Sequence, residues 1–230
     1  MNRDTLRTLL PLLLSLNAGY VDTAGFLALH GLFTAHVTGN FVTLAAALVQ
    51  GTSGALAKLL ALPVFCIVVI AVRLLGSLLA NRDAPVFEPL VGLKLLLLAL
   101  GAVLAIHFGP FPDGDHWQAI LTGMVLVSAM AIQNAVHRVH LASAPPSTLM
   151  TGTTTQIMLD LADKIYKPRD HEKRAPSKLV PMSVNILAFA LGCALAALAY
   201  LRFGMWCFAV PPVLGLLALV VRLAGRPKQA

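Results

Sequence analysis

The sequence has few charged residues, few aromatic residues and few cysteines. Only 12% of its 230 residues are charged, whereas soluble globular domains contain about a quarter, so a soluble domain is excluded. The three cysteines are an odd number at wide spacings, which fits neither a disulfide scaffold nor a zinc site. Apolar residues make up 58% of the chain, and the mean hydropathy is +0.81. These values predict an all-α polytopic membrane protein.

Six apolar runs are long enough to cross about 30 Å of hydrocarbon, which takes about 20 helical residues. The runs cover residues 8–30, 58–80, 90–108, 117–140, 179–202 and 206–224. The first begins with basic residues, as a signal peptide does, but it continues past Asn17 and Asp22 and is predicted to be a retained span. No long polar stretch is present, so we expect a single transmembrane domain over residues 1–230.

Two shorter and more polar segments, 34–50 and 148–163, each carry a Thr-Gly pair near the start of a helix-compatible run. When these pairs are superposed, the preceding helices also align, with Asp22 opposite Asn134. The alignment predicts an internal repeat with copies at 8–108 and 117–224.

The topology depends on whether the two short segments cross the bilayer. If they enter and return, the chain has six full transmembrane helices plus two short or broken helices, in inverted repeats; if they span, it has eight spanning helices in two parallel repeats. The six-crossing version is favoured, and it leaves only Lys58 and Arg202 among the basic loop residues outside.

The positive charge is concentrated in one loop. The net charge is +7, and six of the seventeen Lys and Arg residues lie between Lys164 and Lys178. This distribution favours cytoplasmic loops that face anionic membrane lipid over nucleic-acid binding. We therefore expect a bacterial inner-membrane protein with both termini in the cytoplasm.

Asp22 is the only carboxylate well inside a predicted span, where a charge costs about 2.5–3.5 kcal/mol. Such a group is typical of proton or cation coupling. Alternatively, it is structural and either accepts hydrogen bonds from the broken segment or pairs with Arg73, the only intramembrane arginine. Histidine titrates near neutral pH, so His36 or His137 is a candidate proton relay. The predicted coupling set is Asp22, His36 and Arg73.

The Thr-Gly segments predict a site for a small polar or anionic solute. Glycine permits an abrupt turn, and a helix that begins there presents unpaired N–H groups to a ligand. Two such ends related by a pseudo-twofold axis would converge at the bilayer midplane. The alternative is that Gly and Thr only mark close helix packing. The predicted solute-binding residues are Thr38, Gly39, Asn40, Thr151, Gly152, Thr153, Gln133 and Asn134.

Metal binding and catalysis are not predicted. The histidines His30, His36, His137 and His140 lie near span ends, but no carboxylate or thiolate accompanies them as a ligand set. Catalytic sequence motifs are absent as well. We therefore expect neither enzymatic activity nor a cofactor.

Four motifs carry a resemblance to a known family. They are Gly19–Phe26, His36–Asn40, Gln133–Ala135 and Thr151–Thr153, and with them the chain resembles the YoaK-like family of bacterial inner-membrane proteins. The resemblance covers nearly the whole chain. It implies a membrane location, but it implies no substrate because the family is a domain of unknown function.

Together these observations predict a small secondary transporter for a small polar or anionic solute, with Asp22 coupling transport to protons. The alternatives are a facilitative channel, or a membrane-embedded enzyme or scaffold that binds lipid or quinone. Because 230 residues form a thin wall around a pathway, a homodimer is also expected, with small-residue faces such as Gly192–Ala199 as the available interface.

Overall fold

The computed structural model describes residues 3–166 and 178–225, with side chains from residue 8 onward. Within these residues the fold is all-helical. The helices are α1 (Arg3–Ala28), α2 (Asn40–Gln50), α3 (Ala55–Ala80), α4 (Phe87–Phe108), α5 (Trp117–His140), α6 (Met150–Tyr166), α7 (Leu179–Phe203) and α8 (Val210–Ala224). Most of the basic stretch between Lys164 and Lys178 lies outside the described residues.

Four helical stretches are long and apolar enough to cross a membrane. They are Ala55–Ala80, Phe87–Phe108, Trp117–His140 and Leu179–Ala224. The last is 46 residues long and contains both α7 and α8, joined by the 3-10 turn Gly204–Ala209. Helix α1 is not among the four. The all-helical membrane architecture predicted from the sequence is thus present.

Two helices, α1 and α5, occupy the centre of the fold. Two thirds of the apolar window of α5 is buried (67%), against 22% for α3, and α1 is buried along Leu14–Ala24 at most of its positions. Helix α1 packs against α7 and α8, and α5 packs against α3 and α4. Helices α4 and α8 pack together and join the two groups.

The outer helices expose apolar side chains along their length. Examples with more than half of their surface exposed are Val49, Ile67, Leu96, Leu187 and Leu201. Such a continuous apolar exterior is what a hydrocarbon environment selects and what water disfavours.

Glycines allow α1 and α7 to approach at the backbone. A Cβ on Gly19 would lie 2.2 Å from the carbonyl oxygen of Phe189, and a Cβ on Gly192 would lie 2.1 Å from that of Leu16. Small residues at membrane helix interfaces permit this close packing. The sequence analysis gives the small-residue face Gly192–Ala199 as an available dimer interface. Within the chain, Gly192 of this face packs against α1 and Ala196 is buried.

Polar contacts define the two ends of the bundle. At one end, which we call the Asp115 end, the Asp115 carboxylate accepts hydrogen bonds from the N–H groups of Gly54 (2.9 Å) and Leu56 (2.7 Å) at the start of α3. At the other, the Arg222 end, the Arg222 guanidinium lies 3.5 Å from a Glu88 carboxylate oxygen.

Each short helix lies in a segment that begins and ends at the same end of the bundle. After α1, His30 contacts the Ser53 hydroxyl at 3.2 Å, so both ends of the segment that contains α2 lie at the Asp115 end. After α5, the Lys178 amine, at the start of α7, donates to the Ser143 carbonyl oxygen at 2.7 Å. Because α5 ends at His140, both ends of the segment containing α6 lie at the Arg222 end.

Candidate functional site

Asp22 is the most densely hydrogen-bonded side chain of the predicted set. Its carboxylate is 4% exposed, and it faces the chain segment between α1 and α2. Its Oδ1 atom accepts from the N–H groups of Thr34 at 2.8 Å and Ala35 at 2.7 Å, and more weakly from the Thr34 hydroxyl and the His36 N–H at 3.4 Å. These donors stabilise the charged carboxylate. This arrangement matches one of the structural alternatives in the sequence analysis, in which Asp22 accepts hydrogen bonds from the broken segment.

The second carboxylate oxygen pairs with His36. The imidazole Nδ1 lies 2.7 Å from Asp22 Oδ2, and a third of the His36 side chain is exposed. His36 lies between α1 and α2, outside the candidate membrane spans. The hydrogen bond to Asp22 raises the pKa of His36, burial opposes this, and the Asp22 charge and the Thr148 backbone add to the increase. Two predicted coupling residues are therefore in direct contact.

This pair lines a cavity of about 430 Å³, which we call the Asp22 pocket. Its wall is largely aromatic. The His36 ring lies edge-on to Phe189 with centroids 5.3 Å apart, and Phe33 lies between His36 and Phe26. The lining residues are Asp22, Thr23, Phe26, Phe33, His36, Gly39, Phe189 and Cys193. The arrangement offers a solute a titratable pair in an otherwise apolar chamber.

The first Thr-Gly segment forms the turn that precedes α2. Thr38 is exposed, and Gly39 has an ordinary right-handed φ of −62° with the Phe33 ring close by. Asn40 is buried, and its amide bonds to both the N–H and the carbonyl oxygen of Phe33 at 2.8 Å. Asn40 therefore fixes the turn that supplies donors to Asp22, and Gly39 adds no left-handed turn.

The second Thr-Gly segment lies inside a helix. Helix α6 begins at Met150, so the segment forms the first turn of α6 and does not break it. Thr151 and Gly152 are exposed, and a Cβ on Gly152 would meet no atom within 4 Å. The Thr153 hydroxyl donates to the Leu149 carbonyl oxygen at 2.8 Å. The expectation of an abrupt turn at Gly152 is therefore wrong.

The two helices that carry the Thr-Gly segments pack against different neighbours. Helix α2 packs against α3, whereas α6 packs against α7, and the extensive interhelical contacts of the described residues include no α2–α6 pair. The prediction that both helix starts meet at the bilayer midplane rests on an assumed pseudo-twofold axis. The nearest link is His36, which is close enough to the Thr148 backbone to be influenced by it.

The amide pair on α5 bonds to several buried partners. The Gln133 amide donates to the Leu14 carbonyl oxygen at 2.9 Å and to the Ser147 hydroxyl at 3.0 Å. The Asn134 carbonyl oxygen accepts from the Thr148 hydroxyl at 2.6 Å. Both side chains thus bind the segment before α6 to the helix core.

Arg73 lies apart from Asp22. It is exposed on α3 and lines a different cavity, of about 570 Å³, between α3, α4 and α5. We call this cavity the Arg73 pocket, and Asn134, Arg138 and His140 share its wall. Of the two structural alternatives for Asp22, pairing with Arg73 is not the one found, because the two side chains line separate cavities.

Lys94 is a buried charged residue that the sequence analysis did not single out. It lies within the apolar run of α4, is 1% exposed, and its amine donates to the Gln133 side-chain oxygen. A lysine flanked by leucines in a predicted span was the available signal. Its burial makes it costly and therefore a candidate functional group.

Two other histidines that the sequence analysis considered, His30 and His137, lie away from Asp22. The His30 ring contacts the Phe111 carbonyl oxygen at 2.8 Å at the Asp115 end, whereas His137 is buried in α5. The two rings serve different parts of the fold.

Comparison with known proteins identifies the family. A family model described as a protein of unknown function, DUF1275, matches residues 10–221. The chain is also 26% identical over 216 residues to the UPF0700 transmembrane protein YoaK of Bacillus subtilis (strain 168), with 93% of each chain covered. No solved structure matches. The chain therefore belongs to the DUF1275 family and is a YoaK-like membrane protein of unknown function.

Proposed function

We propose that the protein is a small secondary transporter that moves a small polar or anionic solute and couples its movement to protons at the Asp22–His36 pair. The observation that carries the proposal is that a buried carboxylate and a partly exposed imidazole, 2.7 Å apart, line a 430 Å³ pocket within an apolar helical protein. Ionisable groups inside membrane domains commonly serve substrate or proton pathways. The proposal includes no enzymatic step and no cofactor.

Two inverted repeats, 8–108 and 117–224, form the framework of the proposed transporter. Helix packing supports this division, because exchanging the halves converts the α1–α7 contact into α5–α3 and the α1–α8 contact into α5–α4. The same exchange converts α2–α3 into α6–α7. The contacts of Asp22 with Thr34 and of Asn134 with Thr148 also correspond.

Six full crossings with two re-entrant helices, α2 and α6, fit the contacts at the bundle ends. Each short helix lies in a segment whose two ends are on the same side of the bundle, as the His30–Ser53 and Lys178–Ser143 contacts indicate. A segment that enters and returns in this way gives inverted repeats.

The Arg222 end is proposed to face the cytoplasm of a bacterial inner membrane. Basic residues near this end include Arg82, Arg138, Lys178 and Arg222, whereas the acidic Asp115 lies at the opposite end. Cytoplasmic loops carry the excess of Lys and Arg. Both termini then lie in the cytoplasm, since six crossings return the chain to its starting side.

Within the pair, the two residues divide the work. Backbone N–H groups bond to Asp22, and the hydrogen bond to Asp22 raises the pKa of the imidazole, so His36 is the proposed member that gains and loses a proton. Protonation would change the charge of the pocket wall where a solute enters. In the proposed binding set, Gly39 lines this pocket and Thr38 precedes it in the chain. The other members act through the fold or at the second short helix; they are Asn40, Gln133, Asn134, Thr151, Gly152 and Thr153. A homodimer would thicken the wall around the pathway.

Proteoliposomes loaded with the pH dye pyranine test the proposal. Acetate, lactate, alanine, inorganic phosphate and sulfate are added outside in turn, and a change in internal pH beyond that of protein-free liposomes reports coupled flux. We expect at least one probe to move protons with the wild type, and His36→Gln and Asp22→Asn to abolish the change.

The control is His116→Gln, an exposed histidine outside the Asp22 pocket, which should retain the signal. Probe uptake without a pH change would replace coupled transport by a facilitative channel. A proton signal that survives in both pocket variants would remove the pair from the mechanism, and absence of uptake of all five probes would refute transport of these solutes.

A further inference from the structure

We propose that the Arg73 pocket binds the phosphate group of an anionic phospholipid, with the lipid's apolar tail extending along the inner part of the same cavity. The proposal does not depend on transport. It concerns a cavity separate from the Asp22 pocket, lined mainly by α3, α4 and α5.

The wall of this pocket is positively charged. Arg73, Arg138 and His140 line it, and no Asp or Glu does so among the described residues. Glu88, which acts electrostatically on His140 from α4, also pairs with Arg222 at 3.5 Å. The arginines on α3 and α5 therefore face the cavity without an opposing carboxylate in its lining. Planar guanidinium groups are well matched to phosphate oxygens.

The inner part of the pocket is apolar. Phe65 and Val69 line it from the same helix as Arg73, and Leu90 lines it from α4. Phe65 precedes Arg73 by eight residues, which corresponds to about 12 Å along a helix. A ligand that fills the cavity must therefore be charged at one end and apolar over about 12 Å. This shape favours a lipid over free phosphate.

The position of the charged rim also fits a lipid headgroup. The rim includes Asn81, just after the end of α3, and His140, the last residue of α5. It therefore lies at the Arg222 end, where the helices leave the apolar layer. Basic pockets between transmembrane helices at this depth are suited to anionic headgroups.

The occupant differs from that of the other pocket because the linings differ. Asp22 and His36 line the first cavity, whereas Arg73 and Arg138 line the second. Two guanidinium groups without a carboxylate in the lining attract an anionic headgroup more strongly than a carboxylate–imidazole pair does.

Native mass spectrometry of the purified full-length protein in detergent tests this assignment. Titrations with dioleoylphosphatidylglycerol and with dioleoylphosphatidylcholine give apparent Kd values for an anionic and a zwitterionic lipid with the same tails. We expect tighter binding of the anionic lipid, and weakening by about 5-fold for Arg73→Gln, by about 5-fold for Arg138→Gln and by about 25-fold for the double variant.

Two control variants keep the test specific. Arg82→Gln removes a cation at the same end but outside the pocket lining, and Arg202→Gln removes one from the C-terminal turn of α7. Both should bind dioleoylphosphatidylglycerol as the wild type does, and gel filtration with circular dichroism should give the same folded species for every variant.

A competition arm separates the two sources of phosphate. Excess inorganic phosphate, matched for ionic strength with chloride, should displace little bound lipid, because it cannot fill the apolar part of the pocket. Full displacement by phosphate would overturn the lipid assignment. Equal affinity for both lipids, or a double variant that binds as the wild type does, would overturn the anion site itself.

Discussion

Asp22 on α1 and Asn134 on α5 reach the same kind of target, the chain segment that precedes a short helix. Asp22 accepts from two backbone N–H groups within 2.8 Å and from His36 at 2.7 Å, whereas the Asn134 oxygen accepts from the Thr148 hydroxyl at 2.6 Å. One contact is charged and depends on several donors; the other is neutral and local. The two contacts therefore differ in charge and in the number of donors.

The α1–α7 and α5–α3 interfaces also differ in how closely the helix backbones approach. Helix α1 meets α7 at the backbone through Gly19 and Gly192, whereas no glycine of α5 or α3 comes as close to the backbone of the other helix among the described residues. The central helix that holds Asp22 is thus also the one with the tighter helix contact. Close packing keeps the donors of a buried carboxylate in place.

The largest expected effect comes from the tight interface. In Gly192→Val, the new Cβ would lie 2.1 Å from the Leu16 carbonyl oxygen, so the helices must separate. We expect a loss of at least about 3 kcal/mol of stability, seen as a large drop in Tm or loss of the folded species on gel filtration. Gly152→Val is the control, because its Cβ meets nothing within 4 Å; equal damage in both variants would contradict the interface argument.

The next prediction compares the two framework contacts directly. Asp22→Ala leaves the donors of Thr34, Ala35 and His36 without their acceptor, and we expect it to cost about 3–5 kcal/mol. Asn134→Ala removes a neutral contact and should cost about 1 kcal/mol. Thermal unfolding of both variants in one detergent measures the difference. Equal losses would mean that the charge adds nothing to the first contact.

A third comparison concerns the buried amide and its lysine. Gln133→Leu leaves the Lys94 amine buried without its acceptor and should lower stability by about 2–3 kcal/mol. Lys94→Met removes the buried charge and should change stability by less than about 1 kcal/mol, or raise it. Thermal unfolding of the two variants measures the difference. A large loss in Lys94→Met would show that the amine makes a net stabilising contribution to the core.

Much of the helical layout is predictable from this sequence because apolar run length sets it. The predicted run 117–140 is α5 residue for residue, and 58–80 differs from α3 only at its start. Hydropathy carries this information, since a helix in lipid must satisfy its own backbone and present apolar side chains.

The site is predictable only in part because its contacts are tertiary. Asp22 and His36 are recognisable as costly or titratable residues, but their 2.7 Å contact depends on how the chain turns after α1. Arg73 was expected beside Asp22 because both are rare charges in spans, yet the helix arrangement places them on different cavities. Sequence also cannot show that Gly152 has open space around it.

The smallest expected effect is a pH dependence confined to the first half. The hydrogen bond from His36 to Asp22 raises the pKa of the imidazole above its ordinary value of 6.5, so the folded state binds a proton that the unfolded state has already lost. This contribution is fully present below pH 6.5 and is lost as pH rises through the folded pKa. The Tm difference between the wild type and His36→Gln should therefore shrink from acidic to alkaline pH.

His116→Gln provides the matched control, since His116 is exposed and outside the Asp22 pocket. Its Tm should follow that of the wild type across the same pH series. The titratable groups that share the pocket with His36 are Asp22 and Cys193, so Cys193→Ser should be measured in parallel and should keep the acidic advantage. A wild-type advantage over His36→Gln that is constant with pH would mean that His36 does not change charge in this range. The two halves would then differ in hydrogen bonding alone, and proton coupling would have to move to Lys94 on α4.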